Sequence, residues 1–556
     1  MTTAAALGLV AIVDLSPRLP ADLQMRRTSA VPSPANRGQV EDRAISSWPV
    51  GIALEKSVPT PTPSATLYVM FRLGARCAAR IAALFAGLAC LATLCVVTAP
   101  ARAASPLRTA LTDDVWYDGV GAQWIPRTVA TRAGLVLLEL DWSSAEPTPP
   151  PAGANPTNPS GPEYDFSAYD AVIRKFAGTG IQPAFLVTDA PSWAEAPGGP
   201  PNFEARGAWQ PNATAFGEFA AALARRYSGS FPDPAYPGRA LPRVRYYQAW
   251  GEANFSIHLA PQWVRSGASW VPAGPGIYRN LLNAFYAGIK SVHADNFVIT
   301  TGFGPYGDSP GGCSGAQGIG SGCRMPPAMF ARELLCLHGE GLRPESCRNP
   351  AHFDAMAMDP YEVGSPTTHA YAADDVSAPD LGKLTRVLNK AGQLGHALPR
   401  GHKQLWVTEF SYDSDPPNPG GVSLATQARW VDQALYMFWS EGVSTAVWYL
   451  IRDQAPTYNA DSYFSGLYFY NGAPKPAFEA FRFPFVVLPS GRSVTVWGIP
   501  PKSGRLAVQR KQGRSWKTLF RIRATADTVF VHNISPGLHG NFRALVGSEA
   551  SVAWSR

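Results

Sequence analysis

The stretch RVRYYQAWGEANFSIH, residues 243–258, is the most informative part of the sequence about the fold. Its first half alternates large and small side chains as a buried strand does, and it stops at the turn-forming group 251–254. One carboxylate, Glu252, stands in that turn between Trp250 and Phe255. A strand that delivers a single glutamate to its own C-terminal end predicts a site there, provided that a second carboxylate faces it.

Short apolar strands alternate with amphipathic helices eight times between residues 104 and 485. The predicted strands are 107–113, 133–142, 181–189, 243–250, 297–303, 353–359, 404–410 and 444–451. Such alternation implies parallel strands covered on both faces, and eight units predict an α/β fold, a (β/α)8 TIM barrel over residues 104–485. A doubly wound open sheet is the alternative, but the Gly-rich nucleotide turn that usually follows its first strand is missing from this sequence.

The end of the chain has a different texture. Residues 486–556 read as short alternating strands separated by Gly, Ser and Pro, which predicts a small, sandwich-like all-β domain. From Phe485 onward there are eleven Lys and Arg against two Asp and Glu, a net charge of about +9. A basic tail beside an acidic centre does not fit a nucleic-acid-binding protein. We expect these charges to form a solvated basic face, and contact with an anionic surface is the alternative. The domain is expected either to brace the barrel or to bind carbohydrate.

Two glutamates end predicted barrel strands. Glu252 follows the fourth strand, and Glu409, in WVTEFSYDS, ends the seventh. Because the C-terminal ends of parallel barrel strands form one rim, these carboxylates are expected to face each other across the cavity. A protonated carboxyl that acts on the leaving oxygen, opposite an ionised one that attacks or activates water, is what glycosidic bond cleavage needs. No metal or organic cofactor is needed for this chemistry.

At these residues the chain resembles the clan of retaining glycoside hydrolases built on (β/α)8 barrels, and family 39-like and family 5-like members look closest. The resemblance also covers the LDWSSAEP, APSWA, DPY, VWYLIRD and GLYFYNGAPKPAFEAF segments, and so most of residues 105–485. It implies a retaining mechanism, with Glu252 as acid/base and Glu409 as nucleophile, acting on an oligosaccharide or polysaccharide.

Three departures from the clan's pattern keep an alternative open. Gly251 stands where an Asn normally precedes the acid/base glutamate, strand two (LVLLEL) has no Arg, and Met358 and Asp359 stand where a His is frequent. Without the Arg, Tyr361 is the candidate donor that supports an ionised Glu409, and it is also a candidate for substrate binding. The alternative is a catalytically weak or inactive barrel that acts as a carbohydrate-binding protein of the cell envelope.

Further residues are candidates for substrate binding. Trp193, Tyr306 and Trp448 stand at expected strand ends, where an aromatic ring either stacks on a sugar or packs the rim. Asn254 is a candidate to take over the hydroxyl contact that Gly251 lacks. The remaining residues are expected to have no functional role. Trp142 and Trp250 are interpreted as structural residues, and His258 and His369 as surface loop residues.

The start of the chain predicts export. Residues 70–103 carry several arginines, an apolar run and an Ala-x-Ala site, which is the pattern of a secretory signal peptide. Residues 1–69 precede it as a Pro-, Ser- and Thr-rich leader, and Met70 is the expected true start. An uncleaved membrane anchor at residues 81–97 is the alternative. We therefore expect a secreted, periplasmic or cell-surface protein.

The cysteines agree with export. Four of the seven lie after the signal region and within one short stretch: Cys313, Cys323, Cys336 and Cys347. An even number of cysteines in an exported chain predicts two disulfides, and we expect the local pairing, Cys313–Cys323 and Cys336–Cys347. A zinc site is the alternative, but these spacings are not those of zinc ligands. The oligomeric state cannot be read from the sequence.

Overall fold

The computed structural model describes residues 106–199, 205–309, 323–361, 364–456 and 462–556, and all of them belong to one compact unit. The leader, signal-peptide and anchor predictions for residues 1–103 lie outside the described residues. Among the described helices, none is long and apolar enough to cross a membrane.

Eight parallel strands close into a barrel, so the predicted fold class is confirmed. The strands are β1 (Arg108–Thr112), β2 (Leu135–Asp141), β3 (Gln182–Thr188), β4 (Tyr246–Ala249), β5 (Phe297–Phe303), β6 (Ala355–Met358), β7 (Gln404–Phe410) and β8 (Val443–Tyr449). Each strand pairs in parallel with its sequence neighbours, and β8 pairs with β1 to close the ring.

A helix follows each strand. The eight are α1 (Gly121–Ala130), α2 (Ser167–Phe176), α3 (Ala213–Arg226), α4 (Gly274–Lys290), α5 (Pro327–Leu334), α6 (Gly382–Leu394), α7 (Leu424–Ser440) and α8 (Pro476–Arg482). Helices α3 and α4 pack most closely, with the Phe216 and Phe285 rings stacked at 4.8 Å. A β-carbon on Gly288 would collide with the backbone of Gly217, so glycine at this crossing lets the helices approach.

The inside of the barrel changes character from bottom to top. Its lower layers hold buried apolar side chains, among them Leu135, Leu137 and Trp406. Because side chains alternate along a strand, the next inward positions of β2 and β7 are Glu139 and Thr408. Gln248 of β4 donates to the Thr408 hydroxyl at 3.4 Å. The apolar layers therefore close the bottom, and the polar groups gather under the C-terminal rim, where barrel sites lie.

The C-terminal part consists of two antiparallel sheets, as the sequence predicted. One contains β9 (Phe485–Ser490), β10 (Ser493–Gly498) and β13 (Phe530–Ile534). The other contains β11 (Gly504–Gln512), β12 (Ser515–Ala524), β14 (Asn541–Val546), β15 (Glu549–Ala550) and β16 (Trp554–Ser555). Alternate residues of β14 are buried, which gives that strand one core face and one outer face, whereas β11 has three consecutive buried residues, Leu506, Ala507 and Val508.

This β domain packs on helix α7 of the barrel. The buried carboxylate of Asp432 accepts a hydrogen bond from the Phe485 backbone N–H at 3.0 Å, and burial raises the pKa of that carboxyl well above its usual range. The ring of Trp497 lies 5.7 Å from Tyr436 and 6.0 Å from Trp439. Contacts of this kind brace the barrel, as expected for one of the two roles predicted for the domain.

One predicted disulfide, Cys336–Cys347, is present, and it links the end of α5 to the loop before β6. The other prediction involves Cys313, which lies outside the described residues. His396 lies close enough to Cys336 and Cys347 to suggest a metal cluster among the described residues. Because both sulfur atoms are bonded to each other, they offer no thiolate to a zinc ion.

Candidate active site

The C-terminal ends of the barrel strands bring a set of polar and aromatic residues to one rim. Asp141 ends β2, Asp189 follows β3, Glu252 follows β4, Tyr306 follows β5, Tyr361 follows β6 and Glu409 is the penultimate residue of β7. In the ring of strands, β5 and β6 separate β4 from β7 on one side. The two predicted catalytic glutamates therefore stand on well-separated strands of the same rim, as the sequence predicted.

The backbone that carries Glu252 is unusual. Glu252 has φ +33°, and Trp250 has φ +79°, so two residues with side chains occupy the left-handed region. The Trp250 indole N–H donates to the backbone carbonyl of His258 at 2.8 Å, and the Ala253 N–H donates to the Thr301 hydroxyl at 2.9 Å. Left-handed backbone outside glycine costs energy and clusters at functional sites. Here the surrounding hydrogen bonds hold it in place.

The Glu252 carboxylate faces a histidine. Its Oε2 lies 3.5 Å from Nε2 of His258, and both side chains are largely buried, at 16% and 18% exposed. Burial lowers the pKa of His258, but the interaction with Glu252 and with the Asp189 and Glu139 carboxylates outweighs burial, so that pKa lies above its usual value. Burial raises the pKa of Asp189 to about 6. The Glu252 carboxylate therefore lies beside a histidine whose protonated form is favoured by its surroundings.

Glu409 has a different partner. The hydroxyl of Tyr361 donates to Oε1 of Glu409 at 2.8 Å. Burial, and then the neighbouring Glu409 carboxylate, raise the pKa of Tyr361 well above its usual value, so the phenol keeps its proton at neutral pH. A hydrogen bond donated to a carboxylate favours its ionised form. Tyr361 thus occupies the position of donor to Glu409 that was predicted for it in the absence of a strand-two arginine, while its predicted contact with substrate stays a prediction.

Asn254 serves the fold of the rim. Its amide group donates to the carbonyls of Gly304 and Met325, at 3.0 Å each, and its side-chain oxygen accepts from the Gly304 N–H at 2.8 Å. The side chain is fully buried. Since each amide hydrogen already has an acceptor, Asn254 holds the loop after β4 to the end of β5, and its predicted contact with a sugar hydroxyl would require breaking these bonds.

A buried lysine braces the opposite side of the rim. Lys475 Nζ donates to Asp453 Oδ1 at 2.6 Å, to the Ser414 hydroxyl at 2.9 Å and to the Phe464 carbonyl at 2.8 Å. Lysine and aspartate are 0% and 1% exposed in their side chains. These bonds tie the loop after β7 to the loop after β8, and the latter carries Tyr463, whose ring meets Tyr449 edge-on at 5.3 Å.

The three aromatic candidates lie in different surroundings. Trp448 is fully buried, and its indole N–H donates to the Ser465 carbonyl at 3.1 Å, so it offers no face to a ligand in this structure. Trp193 is partly exposed and donates to the Glu146 carbonyl at 3.1 Å. Tyr306 is partly exposed, and the Arg324 guanidinium lies 4.5 Å above its ring. Trp193 and Tyr306 stay predicted substrate contacts.

The residues that sequence reasoning missed lie around Glu252. His258 had been interpreted as a surface residue, and the interpretation is wrong because its loop folds back against the rim. For His369 the same interpretation is right: its side chain is 71% exposed and pairs with Asp380 at 3.0 Å. Glu139 of β2 also points toward this side, and the Thr188 hydroxyl donates to it at 3.4 Å.

Among solved structures, the chain is similar to glycoside hydrolases of families 39 and 30. A family 39 enzyme from the gut symbiont Bacteroides cellulosilyticus WH2 shares 15% identity at a TM-score of 0.46, over 78% of this chain and 81% of that one. A family 39 β-xylosidase from Caulobacter crescentus shares 13% at a TM-score of 0.43, over 78% and 98%. A family 30 endoxylanase from Clostridium papyrosolvens C71 shares 8% at 0.40, over 78% and 97%.

No protein-family model and no curated protein matches the chain. The resemblance to (β/α)8 glycoside hydrolases noted in the sequence is thus found again among solved structures, as a likeness of fold. Because the identities are low and the TM-scores lie below 0.5, we base the function on the geometry of the site.

Proposed function

We propose that this chain is a glycoside hydrolase that cleaves O-glycosidic bonds with retention of anomeric configuration. The observation that carries the proposal is the unequal pair of glutamates at one barrel rim: Glu252 faces His258 at 3.5 Å, and Glu409 accepts from Tyr361 at 2.8 Å. Retaining hydrolysis needs one carboxyl that exchanges a proton and one that stays ionised. These two surroundings suit those two roles.

In the first step, the Glu409 carboxylate attacks the anomeric carbon while Glu252 gives its proton to the leaving glycosidic oxygen. The C–O bond to the leaving group breaks, and a covalent glycosyl ester forms on Glu409. Glu252 becomes a carboxylate at this point, and a protonated His258 beside it favours that charge. The phenol of Tyr361 holds the attacking oxygen in an ionised state and in a fixed place.

In the second step, the Glu252 carboxylate takes a proton from water, and the water oxygen attacks the anomeric carbon. The ester bond to Glu409 breaks, and both glutamates return to their starting forms. Two displacements at one carbon restore its original configuration, which is the definition of retention. The substrate is therefore an oligosaccharide or polysaccharide, with Trp193 and Tyr306 as candidate platforms for sugar rings.

The test is an assay of the purified chain on a panel of aryl glycosides and polysaccharides beside Glu409→Gln. We expect hydrolysis by the native chain and loss of it in the variant. The control is His369→Gln, since His369 is exposed and pairs with Asp380 away from the rim. Turnover that survives Glu409→Gln would refute the assignment. Carbohydrate binding without any turnover would favour the alternative, an inactive barrel acting as a cell-envelope binding protein.

We also propose that the protein is exported and acts outside the cytoplasm. The signal-peptide pattern of residues 70–103 supports this, and so does the disulfide Cys336–Cys347, because such bonds persist in oxidising compartments. N-terminal sequencing of the protein recovered from its native culture is expected to begin near residue 104. A mature terminus within residues 1–69 would contradict the proposal.

A further inference from the structure

The positive side chains of the C-terminal β domain have almost no acidic side chains within the domain to balance them. It contains eleven Lys and Arg residues but two acids, Asp527 and Glu549. Both acids pair with the barrel instead: Asp527 with Arg132 at 2.5 Å, and Glu549 with Arg482 at 2.7 Å. Among the described residues, no carboxylate forms a salt bridge with any of the eleven cations. The positive charge of the domain is therefore left to solvent or to an external partner.

Much of that charge lies on one outer face. Leu506 and Val508 of β11 and Phe542 of β14 are fully buried and point into the core. Because side chains alternate along a strand, the neighbouring positions point outward. We call this surface the basic sheet face; its outward residues are Arg505, Gln509 and Lys511 of β11, Trp516, Thr518, Arg521 and Arg523 of β12, and Arg543 and Leu545 of β14.

Like charges lie directly opposite each other on this face. Arg505 pairs in register with Arg523, and both side chains are exposed; Arg521 lies two residues along the same strand. Like charges at directly opposed positions destabilise a sheet, since their side chains are close and repel each other. An anion that bridges the two guanidinium groups would reverse that repulsion, because arginine forks match carboxylates well.

The face also contains an aromatic ring. Trp516 is partly exposed, and the Arg543 guanidinium lies 4.4 Å from the centre of its ring. Arg543 Nε donates to Gln509 at 2.8 Å, which fixes the guanidinium over the indole. A ring held beside a cation can stack on the apolar face of a sugar whose neighbours carry negative charge.

We propose that the basic sheet face binds an acidic polysaccharide, a linear glycan that carries carboxylate groups. The face has the charge and the flat aromatic such a polymer needs. None of its residues is a large apolar side chain that stands exposed, as insertion into a membrane would require. The disulfide and the signal-peptide pattern support the proposed export, which would place this face outside the cytoplasm.

The bound polymer differs from the polymer that is cleaved. Around Glu252 the barrel mouth gathers the further carboxylates Glu139, Asp141 and Asp189, which disfavour an acidic chain in the cleft. The basic sheet face therefore anchors the protein to an anionic matrix, while the cleft acts on a different glycan. This anchoring does not depend on hydrolysis, so Glu409→Gln is expected to bind the polymer as tightly as the native chain does.

The test is affinity electrophoresis of the full chain in gels that contain sodium polygalacturonate, with dextran as the neutral probe. We expect retardation by polygalacturonate alone, and release as NaCl rises toward about 0.5 M, since salt screens exposed charges. The double variant Arg521→Gln/Arg523→Gln is expected to weaken binding at least about tenfold. The matched control, Arg348→Gln/Arg492→Gln, removes the same charge from exposed positions outside the face and should bind as before.

Three results would overturn the proposal. The first is the absence of polygalacturonate binding by the native chain. The second is an equal loss of binding in the test and control pairs, which would indicate net charge rather than this face. The third is tighter binding to duplex DNA than to polygalacturonate at the same salt concentration, which would indicate a nucleic acid as the partner.

Discussion

The Glu252 side and the Glu409 side of the barrel mouth are built differently, although both end parallel strands of one sheet. Glu252 follows β4 on left-handed backbone, and its carboxylate faces a histidine whose pKa is raised. Glu409 lies within β7, where the pairing with β8 shifts register between Val407 and Phe410, and it accepts from a phenol that keeps its proton. One neighbour is a histidine whose protonated form is favoured, and the other is a phenol that keeps its proton.

The difference between the two sides indicates that Glu252 is the glutamate that exchanges protons. A group that gives and takes a proton within one catalytic cycle benefits from neighbours that also exchange protons, and Glu252 lies beside His258, whose pKa is raised, and near Asp189, whose pKa burial raises to about 6. A nucleophile needs a fixed charge in a fixed place, which a strand and a permanent donor supply. Each side also has one buried polar side chain that holds its loops together, Asn254 on the Glu252 side and Lys475 on the Glu409 side.

The largest effect is expected from Glu409→Gln, which removes the attacking oxygen. Loss of a nucleophile should lower kcat by about 10⁴-fold or more. The measurement is steady-state hydrolysis of the best aryl glycoside from the panel. Unchanged thermal unfolding of the variant would show that the loss is catalytic. A residual rate above one-tenth of the native rate would remove the distinction between the two sides.

The loss of hydrolytic activity in Glu252→Gln is expected to depend on the leaving group of the substrate. General acid catalysis contributes about 10²- to 10⁴-fold, and a leaving group of low pKa hardly needs it. The variant should therefore lose far more activity on an alkyl glycoside than on a dinitrophenyl glycoside. Equal losses on both substrates would indicate that Glu252 has no role as an acid.

Tyr361→Phe sharpens the comparison by removing only the hydroxyl that meets Glu409. A hydrogen bond to a charged group contributes about 1.5–3 kcal/mol, so kcat/KM should fall roughly 10- to 100-fold. The matched control is Tyr306→Phe on the Glu252 side, which leaves the Glu409 hydrogen bond intact. A loss in Tyr306→Phe as large as in Tyr361→Phe would contradict a specific role for the phenol.

The smallest effect at the pH optimum is expected from His258→Gln, which acts mainly on the pH profile. The variant lacks a cation 3.5 Å from Glu252 that would favour its ionised form, so the alkaline limb of kcat/KM should move to higher pH. Because the folded-state pKa of His258 lies above its unfolded value of about 6.5, its contribution to stability is complete below that value and is lost as pH rises through the folded pKa. The variant should therefore be destabilised at pH 5.5 but not at pH 9, in denaturant titrations. An unmoved profile would refute the coupling.

The alternation of apolar strands and amphipathic helices predicted most of the barrel, and the errors in the bounds of the elements have local causes. The bounds of β5 and β7 match the prediction, whereas β4 begins three residues late, at Tyr246. Helix α4 begins at Gly274, earlier than its periodic stretch indicated, because proline at position 275 fits a first helical turn. Period and turn chemistry act over a few residues, which is why they can be read from one sequence.

The partners of the catalytic glutamates were harder to predict. The strand count placed Glu252 and Glu409, and a missing donor pointed to Tyr361. His258 could not be predicted because its contact depends on left-handed backbone at Trp250 and Glu252, which no glycine signals at those positions. Asn254 was misjudged for a related reason: its acceptors lie 50 and 71 residues away in the chain.

The central claim is that Glu409 forms the covalent intermediate. Its most direct test is peptide mass mapping after incubation with activated 2-deoxy-2-fluoro glycosides, which form the glycosyl ester but hydrolyse it slowly. We predict one added fluorosugar per chain, on the peptide that contains Glu409, and none in Tyr361→Phe at early times. A label on Glu252 or another residue, or turnover without any label, would contradict the account.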